Sequence, residues 1–199
     1  MGGPEQFIFV VAAAYLAGSV PFGLIVTRLA GKGDIRAVGS GNIGATNVLR
    51  TGSKGLALLT LILDGGKGAV IAYAVAHLTG DPLLTGMAGL LAVTGHCFPV
   101  WLKFSGGKGV ATCVATFTAF DLKLGLVFAV LWLGTAVLTR YSSLSALVAT
   151  LGCSVAAVVF DLPQPIIIAV IAMSALSWAR HHANIGRLLT GTESRIGRK

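Results

Sequence analysis

Charge is what this 199-residue chain has least of: 11% of its residues are Asp, Glu, Lys or Arg, against 55% that are hydrophobic. A water-soluble domain carries roughly 25% charged residues, and a chain this short has no interior large enough to hide so much apolar surface. The surplus must face lipid, in keeping with a mean hydropathy of +0.85. Acidic residues are scarcer still, seven against 15 basic ones, for a net charge of +8. That excess invites a nucleic-acid reading, which the placement of the charges defeats. The basic residues fall in short clusters between apolar runs, with no basic stripe and no interleaved aromatics. Cysteine is equally sparse. Cys97, Cys113 and Cys153 share no metal-ligand spacing, so no metal site is expected and the three read as small buried hydrophobes. The opening Met1–Gln6 has no Lys or Arg, hence lacks the basic start of a secretory signal, and the first apolar segment reads as retained.

What is present is a series of apolar segments, near 7–30, 55–80, 83–102, 109–120, 122–139, 143–160 and 163–179. A helical crossing takes about 20 residues, so the fourth segment is too short to cross alone and reads as a half-helix. The expectation is an all-α integral membrane protein: a polytopic helical bundle of about seven transmembrane helices, forming a single membrane domain over 1–199. The connections alternate in sign. Those after the second, fourth and sixth segments hold Asp81, Asp121 with Lys123, and Asp161, whereas every other Lys and Arg except Lys67 lies in the remaining connections or the C-terminal tail. Basic loops stay inside. The N-terminus is therefore expected outside and the C-terminus in the cytoplasm.

Two near-copies of one motif interrupt the apolar runs, Asp64-Gly-Gly-Lys-Gly68 and Ser105-Gly-Gly-Lys-Gly109. Glycine lets successive amides turn toward one point, a following helix adds its positive end, and lysine adds a full charge: the parts of an anion site. A tight turn with a snorkelling lysine is the plainer alternative. The longest polar connection, Gly39-Ser-Gly-Asn-Ile-Gly-Ala-Thr-Asn-Val-Leu-Arg50, matches G-x-G-x-x-G in form. It has no strand before it and no βαβ unit around it, which excludes a dinucleotide fold, and neither lysine motif fits a Walker loop. Past the last apolar segment, Arg180-His-His-Ala-Asn184 puts His181 and Asn184 on one helical face. A histidine there serves as a general base, a phosphate donor or simply an interfacial side chain. His96 precedes Pro99, which should break its helix, and Ser143 lies at an inner boundary as a phosphate donor or a helix cap.

Together GSGNIGATNVLR, DGGKGA, GH-x-FP-x-W-L-K-F-x-GGKGVAT, RYSSLSA and RHH-x-NI-x-RLL-x-G-x-E resemble the PlsY family of bacterial acyl-phosphate:glycerol-3-phosphate acyltransferases, in order and across nearly the whole chain. The resemblance implies a helical bundle in the bacterial cytoplasmic (inner) membrane, with its active site facing the cytoplasm. It implies transfer of a fatty acyl group from acyl phosphate to the 1-hydroxyl of sn-glycerol 3-phosphate, giving lysophosphatidate and phosphate, the first step of phospholipid synthesis. No cofactor is called for; a soluble acyl-phosphate synthase would supply the donor, and the partners are small substrates and membrane lipid. Carried onto this sequence, Ser40 and Arg50, with Gly41, Asn42 and Asn47, would bind and orient glycerol phosphate. Lys108, with Gly106, Gly107 and Gly109, would hold phosphate and stabilise charge at the acyl carbonyl. Lys67 with Gly65 and Gly66, paired to Asp64, would form a second phosphate-facing loop. Ser143, His181 and Asn184 would complete the pocket, with His96 beside them. The hydroxyl proton would go to His181 or to the substrate's own phosphate. An anion transporter and a lipid-headgroup scaffold use the same basic loops, but the first usually shows internal repeats and the second leaves the paired glycine–lysine motifs unused.

Overall fold

The computed structural model describes residues 3–197; Met1 and Gly2 of the opening segment, and Arg198 and Lys199 of the basic tail, lie outside the described residues. The described residues form helices and no strand. Helix α1 (Pro4–Gly18) runs into α2 (Phe22–Leu29) through a 40° bend at Ser19–Pro21, where proline cannot continue the backbone ladder. A polar excursion follows. It holds a 3-10 turn at Ile35–Ala37, the short α3 (Ala45–Val48) and a second 3-10 turn at Leu49–Thr51. Then come α4 (Lys54–Thr79), α5 (Pro82–Cys97), a 3-10 turn at Val100–Leu102, α6 (Val110–Phe120), α7 (Leu122–Thr139), α8 (Ser142–Val159), α9 (Gln164–Arg180) and α10 (His182–Leu189).

All seven apolar segments are thus helical. Four helices, over 54–79, 82–102, 122–139 and 142–159, are long and apolar enough to cross a membrane, and α1–α2 and α9–α10 pass the same test as bent pairs. The fourth segment is short, as expected: α6 has 11 residues, a rise of only about 16 Å against a hydrocarbon core of about 30 Å. It begins where the Lys108 loop ends, so its first turn lies at the edge of that loop rather than inside an apolar run.

The interior gathers Val93, Cys97, Cys113, Phe117, Leu124, Phe128, Cys153, Val170 and Met173 from five helices. The three cysteines are free and buried. On α7 Leu124 and Phe128 are buried, with Val127, Leu131 and Trp132 packed partly against the same core. Leu126, Val130, Leu133 and Val137, spaced by four, three and four, form an exposed apolar stripe, the face a lipid-embedded helix must show.

Polar caps set the boundaries. Asp81 accepts from the amides of Leu83 and Leu84, and Asp121 from that of Lys123, each satisfying the donors a helix start leaves open. Asp34 holds the turn before α3. It takes Arg28 and Arg36 at 2.8 and 2.6 Å, and those hydrogen bonds, from Arg36 above all, keep its carboxyl well below the usual range.

Candidate active site

The loop 39–50 is organised by one side chain. Asn47 is buried, and its amide nitrogen lies 3.0, 2.9 and 2.8 Å from the carbonyls of Ile35, Val38 and Asn42. Its Oδ1 accepts from the Ser40 amide at 3.0 Å, the Ser40 hydroxyl at 3.3 Å and Arg50 at 3.5 Å. Gly39 has φ +57°, and a Cβ there would overlap Asn47 Oδ1 and the Arg50 side chain. Asn42 Oδ1 takes the Gly44 amide at 2.9 Å, ordering the entry to α3. Asn47 was expected to touch substrate; its hydrogen-bonding groups are instead spent on the loop, leaving Ser40, Gly41 and Arg50 on the exposed rim. Arg50 also donates to Ser194 Oγ at 3.1 Å, which ties this loop to the far end of the chain.

The second glycine–lysine motif is a loop, held from both sides. The amides of Gly106 and Gly107 donate to the carbonyls of Cys97 and His96 at 3.2 and 3.0 Å, at the end of α5. Their carbonyls accept from Arg180 at 3.0 and 3.1 Å. A Cβ at Gly106 would overlap the His96 carbonyl and Pro99, and one at Gly107 would overlap the His96 ring. The expected phosphate cradle is therefore corrected: Gly106 and Gly107 have already committed their amides, and glycine is required there for close approach. The open donors lie one step on. Gly109 has φ +80° and precedes α6, whose first-turn amides have no partner inside the helix.

Lys108 projects from between them. Burial pushes its ammonium down to about 8, the cations of Arg187, Arg50 and Arg180 push the same way, and Glu193 opposes them. Those neighbours bring the C-terminal motif to the loop. A 62° bend at His181 separates α9 from α10. There the His181 ring is buried, with Nδ1 2.7 Å from the Ser177 carbonyl. A carbonyl only accepts, so Nδ1 carries the hydrogen and Nε2 is left with its lone pair. Past α10, Gly191 (φ +71°) turns the chain back and delivers Glu193. Its Oε1 accepts from Ser143 Oγ at 2.7 Å and Asn184 Nδ2 at 2.6 Å, and its Oε2 from Arg187 at 2.6 Å. Burial alone would raise the Glu193 carboxyl; these three hydrogen bonds outweigh it and hold the group ionised. Asn184 Oδ1 is left buried without a partner.

The first glycine–lysine motif is the clearest correction. Asp64, Gly65, Gly66 and Lys67 are not a phosphate-facing loop but four consecutive residues of α4. Lys67 is paired to Asp64 at 2.9 Å, and its second bond, 2.8 Å to the Val20 carbonyl, satisfies a group freed by the α1–α2 break. Gly65 packs against Ala111 and Ala115 of α6, whereas nothing lies within 4 Å of a Cβ built on Gly66. The flanking residues favour helix here, and the similarity to the second copy misleads because no Pro or left-handed glycine stops the helix. Sequence reasoning in turn missed Arg180, Arg187, Glu193 and Ser194 as parts of the site. The first three stand within the RHH-x-NI-x-RLL-x-G-x-E block, so a residue-by-residue reading of its charges would have found them.

A family described as Glycerol-3-phosphate acyltransferase matches residues 8–191. A glycerol-3-phosphate acyltransferase of Rhodospirillum rubrum is 55% identical over 195 residues, covering 94% of this chain and 89% of its own length. One from Allorhizobium ampelinum is 53% identical over 192 residues, covering 95% and 91%. The fold is similar to that of crystalline PlsY (YgiH), an integral membrane glycerol 3-phosphate acyltransferase. Its glycerol 3-phosphate form matches with a TM-score of 0.93 at 39% identity, covering 96% of each chain. Its lysophosphatidic acid form gives 0.91 at 38% with the same coverage.

Proposed function

The chain belongs to the glycerol-3-phosphate acyltransferase family, in its PlsY-type membrane form, and on that premise we propose that it moves a fatty acyl group from acyl phosphate to the 1-hydroxyl of glycerol 3-phosphate. The observation that carries the reading is the convergence on Lys108 of Arg50, Arg180, Arg187 and the Ser143–Asn184–Glu193 cluster at the start of α6. Two phosphorylated reactants need two anion sites in one place. The α6 amides with Lys108 suit the phosphate of the donor, and Ser40 with Arg50 suits that of the acceptor.

Acyl phosphate is a mixed anhydride whose phosphate leaves readily, so positioning and charge stabilisation are the main demands. The hydroxyl oxygen of the acceptor attacks the acyl carbon, and the carbonyl π electrons move onto oxygen. As they return, the carbon–oxygen bond to phosphate breaks and inorganic phosphate departs with that electron pair. The Lys108 ammonium faces the charge that develops at both oxygens. The hydroxyl proton passes to the bare Nε2 of His181 or to a phosphate oxygen of the acceptor itself. Cys97, Cys113 and Cys153 are buried in the packed interior, and no covalent acyl-enzyme is needed.

We place the site on the cytoplasmic face of a bacterial inner membrane, N-terminus outside, with a soluble acyl-phosphate synthase as the source of donor. The basic connections at Arg28–Lys54, Lys103–Lys108, Arg140 and Arg180–Arg195 support that orientation. The test supplies purified protein with labelled glycerol 3-phosphate and either acyl phosphate or acyl-CoA. Lipid product from acyl phosphate is expected; product from acyl-CoA alone overturns the donor.

A further inference from the structure

A second group of charges lies behind the Lys108 loop, and the acyl-transfer chemistry gives it no task. Asp64, Lys67 and His96 are 1%, 8% and 4% exposed. An ion pair so deeply buried is a poor device for stability, since apolar residues of equal volume pack as well or better. Ionisable groups at membrane depth instead mark function. His96 adds a further oddity. Its Nδ1 is buried with no hydrogen-bond partner and faces Asp64 Oδ1 at 3.7 Å, about 0.7 Å beyond a good hydrogen bond.

Each member of the trio holds a different piece of the frame around Lys108. Lys67 donates to the Val20 carbonyl at the α1–α2 break, 2.8 Å away. The backbone carbonyl of Asp64 accepts from Thr112 Oγ1 at 2.9 Å, inside the first turn of α6. The carbonyl of His96 takes the Gly107 amide at 3.0 Å. Its ring fills the space beside the Gly107 Cα, with Nε2 the nearest atom to any Cβ placed there. The imidazole is thus backed by Asp64 on one nitrogen and abuts the loop with the other.

We infer that Asp64, Lys67 and His96 form a buried positioning hub for the acyl-donor site, in which the carboxylate fixes the imidazole and the imidazole fixes Gly107 and so the aim of Lys108. The trio touches no reactant. Its role rests on the acyl-transfer reading and goes beyond it, because it assigns to α4 and the end of α5 the alignment of the loop they flank. The long Asp64–His96 contact is the adjustable element, closing to a hydrogen bond as the loop takes its anion, in the way that active-site hydrogen bonds shorten on loading.

The experiment uses the full chain in lipid nanodiscs with acyl phosphate and glycerol 3-phosphate. Transfer by the wild type tests the function reading; only the ratio of variant to wild type bears on the hub. In His96→Asn the amide reproduces the nitrogen facing Asp64 and deletes the atom against Gly107. We expect kcat/KM for acyl phosphate to fall tenfold or more, with KM for glycerol 3-phosphate within threefold of wild type. Adding Gly107→Ala should cost little further, because the two residues act through one contact. The paired change Asp64→Asn with Lys67→Met leaves no uncompensated buried charge, is checked for folding by its thermal melting curve, and should show the same donor-side loss. Unchanged transfer in either background, equal losses on both substrates, or losses that multiply in His96→Asn/Gly107→Ala each overturn the hub.

Discussion

Glu193 Oε1 lies 2.6 Å from Asn184 Nδ2 and fixes which way that amide points. The nitrogen is held by a carboxylate, so the oxygen must face the other way, and it is this oxygen that stays buried and unpartnered. A buried acceptor without a partner is suited to the hydrogen of an alcohol. Glu193 therefore sets the direction of the Asn184 oxygen while also holding Ser143 and Arg187.

Glu193→Gln keeps the shape but removes the charge that gathers three donors. Losing charge-assisted hydrogen bonds of this kind costs about 1.5–3 kcal/mol, or about tenfold to a hundredfold in rate. The loss should appear in kcat, measured beside the thermal melting curve. An unchanged kcat would remove Glu193 from the site.

Lys108 should set the alkaline limit. Its ammonium in the free protein is lowered to about 8, and the proposed reaction uses the charged form to hold phosphate. As pH rises through that value kcat/KM should therefore fall. Bound phosphate favours the ammonium, so the corresponding limb of kcat should lie at higher pH. Steady-state profiles between pH 6 and pH 10 check both. Lys108→Arg keeps charge across the range yet should lose most activity, because a planar fork cannot replace a positioned point charge.

The two glycine–lysine motifs should respond oppositely to alanine. Gly106→Ala forces a Cβ into the His96 carbonyl and Pro99 and should abolish most transfer. Gly66→Ala meets open space inside α4, where alanine favours a helix by about 0.5–1 kcal/mol. Activity within twofold and an equal or higher melting temperature are expected. A strong loss from Gly66→Ala would restore a binding role to that motif.

Asn47→Asp sets a carboxylate against the carbonyls of Ile35, Val38 and Asn42 in place of an amide donor. The loop carrying Ser40 and Arg50 should lose its shape. KM for glycerol 3-phosphate should rise about tenfold or more, on the order of the 1–3 kcal/mol of leaving buried acceptors unpaired, while KM for acyl phosphate changes little.

Residues alone pointed to lipid as the surrounding and to helices as the elements within it. So little charge and such long apolar runs leave lipid as the only surrounding and helices as the means of satisfying the backbone within it; the break at Ser19–Pro21 inside the apolar run 7–30 came only with the structure. Short motifs likewise exposed Lys108, Ser143, His181 and Asn184 as polar groups out of place. Tertiary structure decided what each of them faces. DGGKG and SGGKG are nearly the same string, yet one continues as helix α4 and buries its lysine on an aspartate three residues away, while the other is pinned open by Arg180 and by carbonyls at the end of α5. The open form of the second copy depends on partners some ten to seventy residues distant in the chain, and its own string does not record which backbone groups will be brought to it.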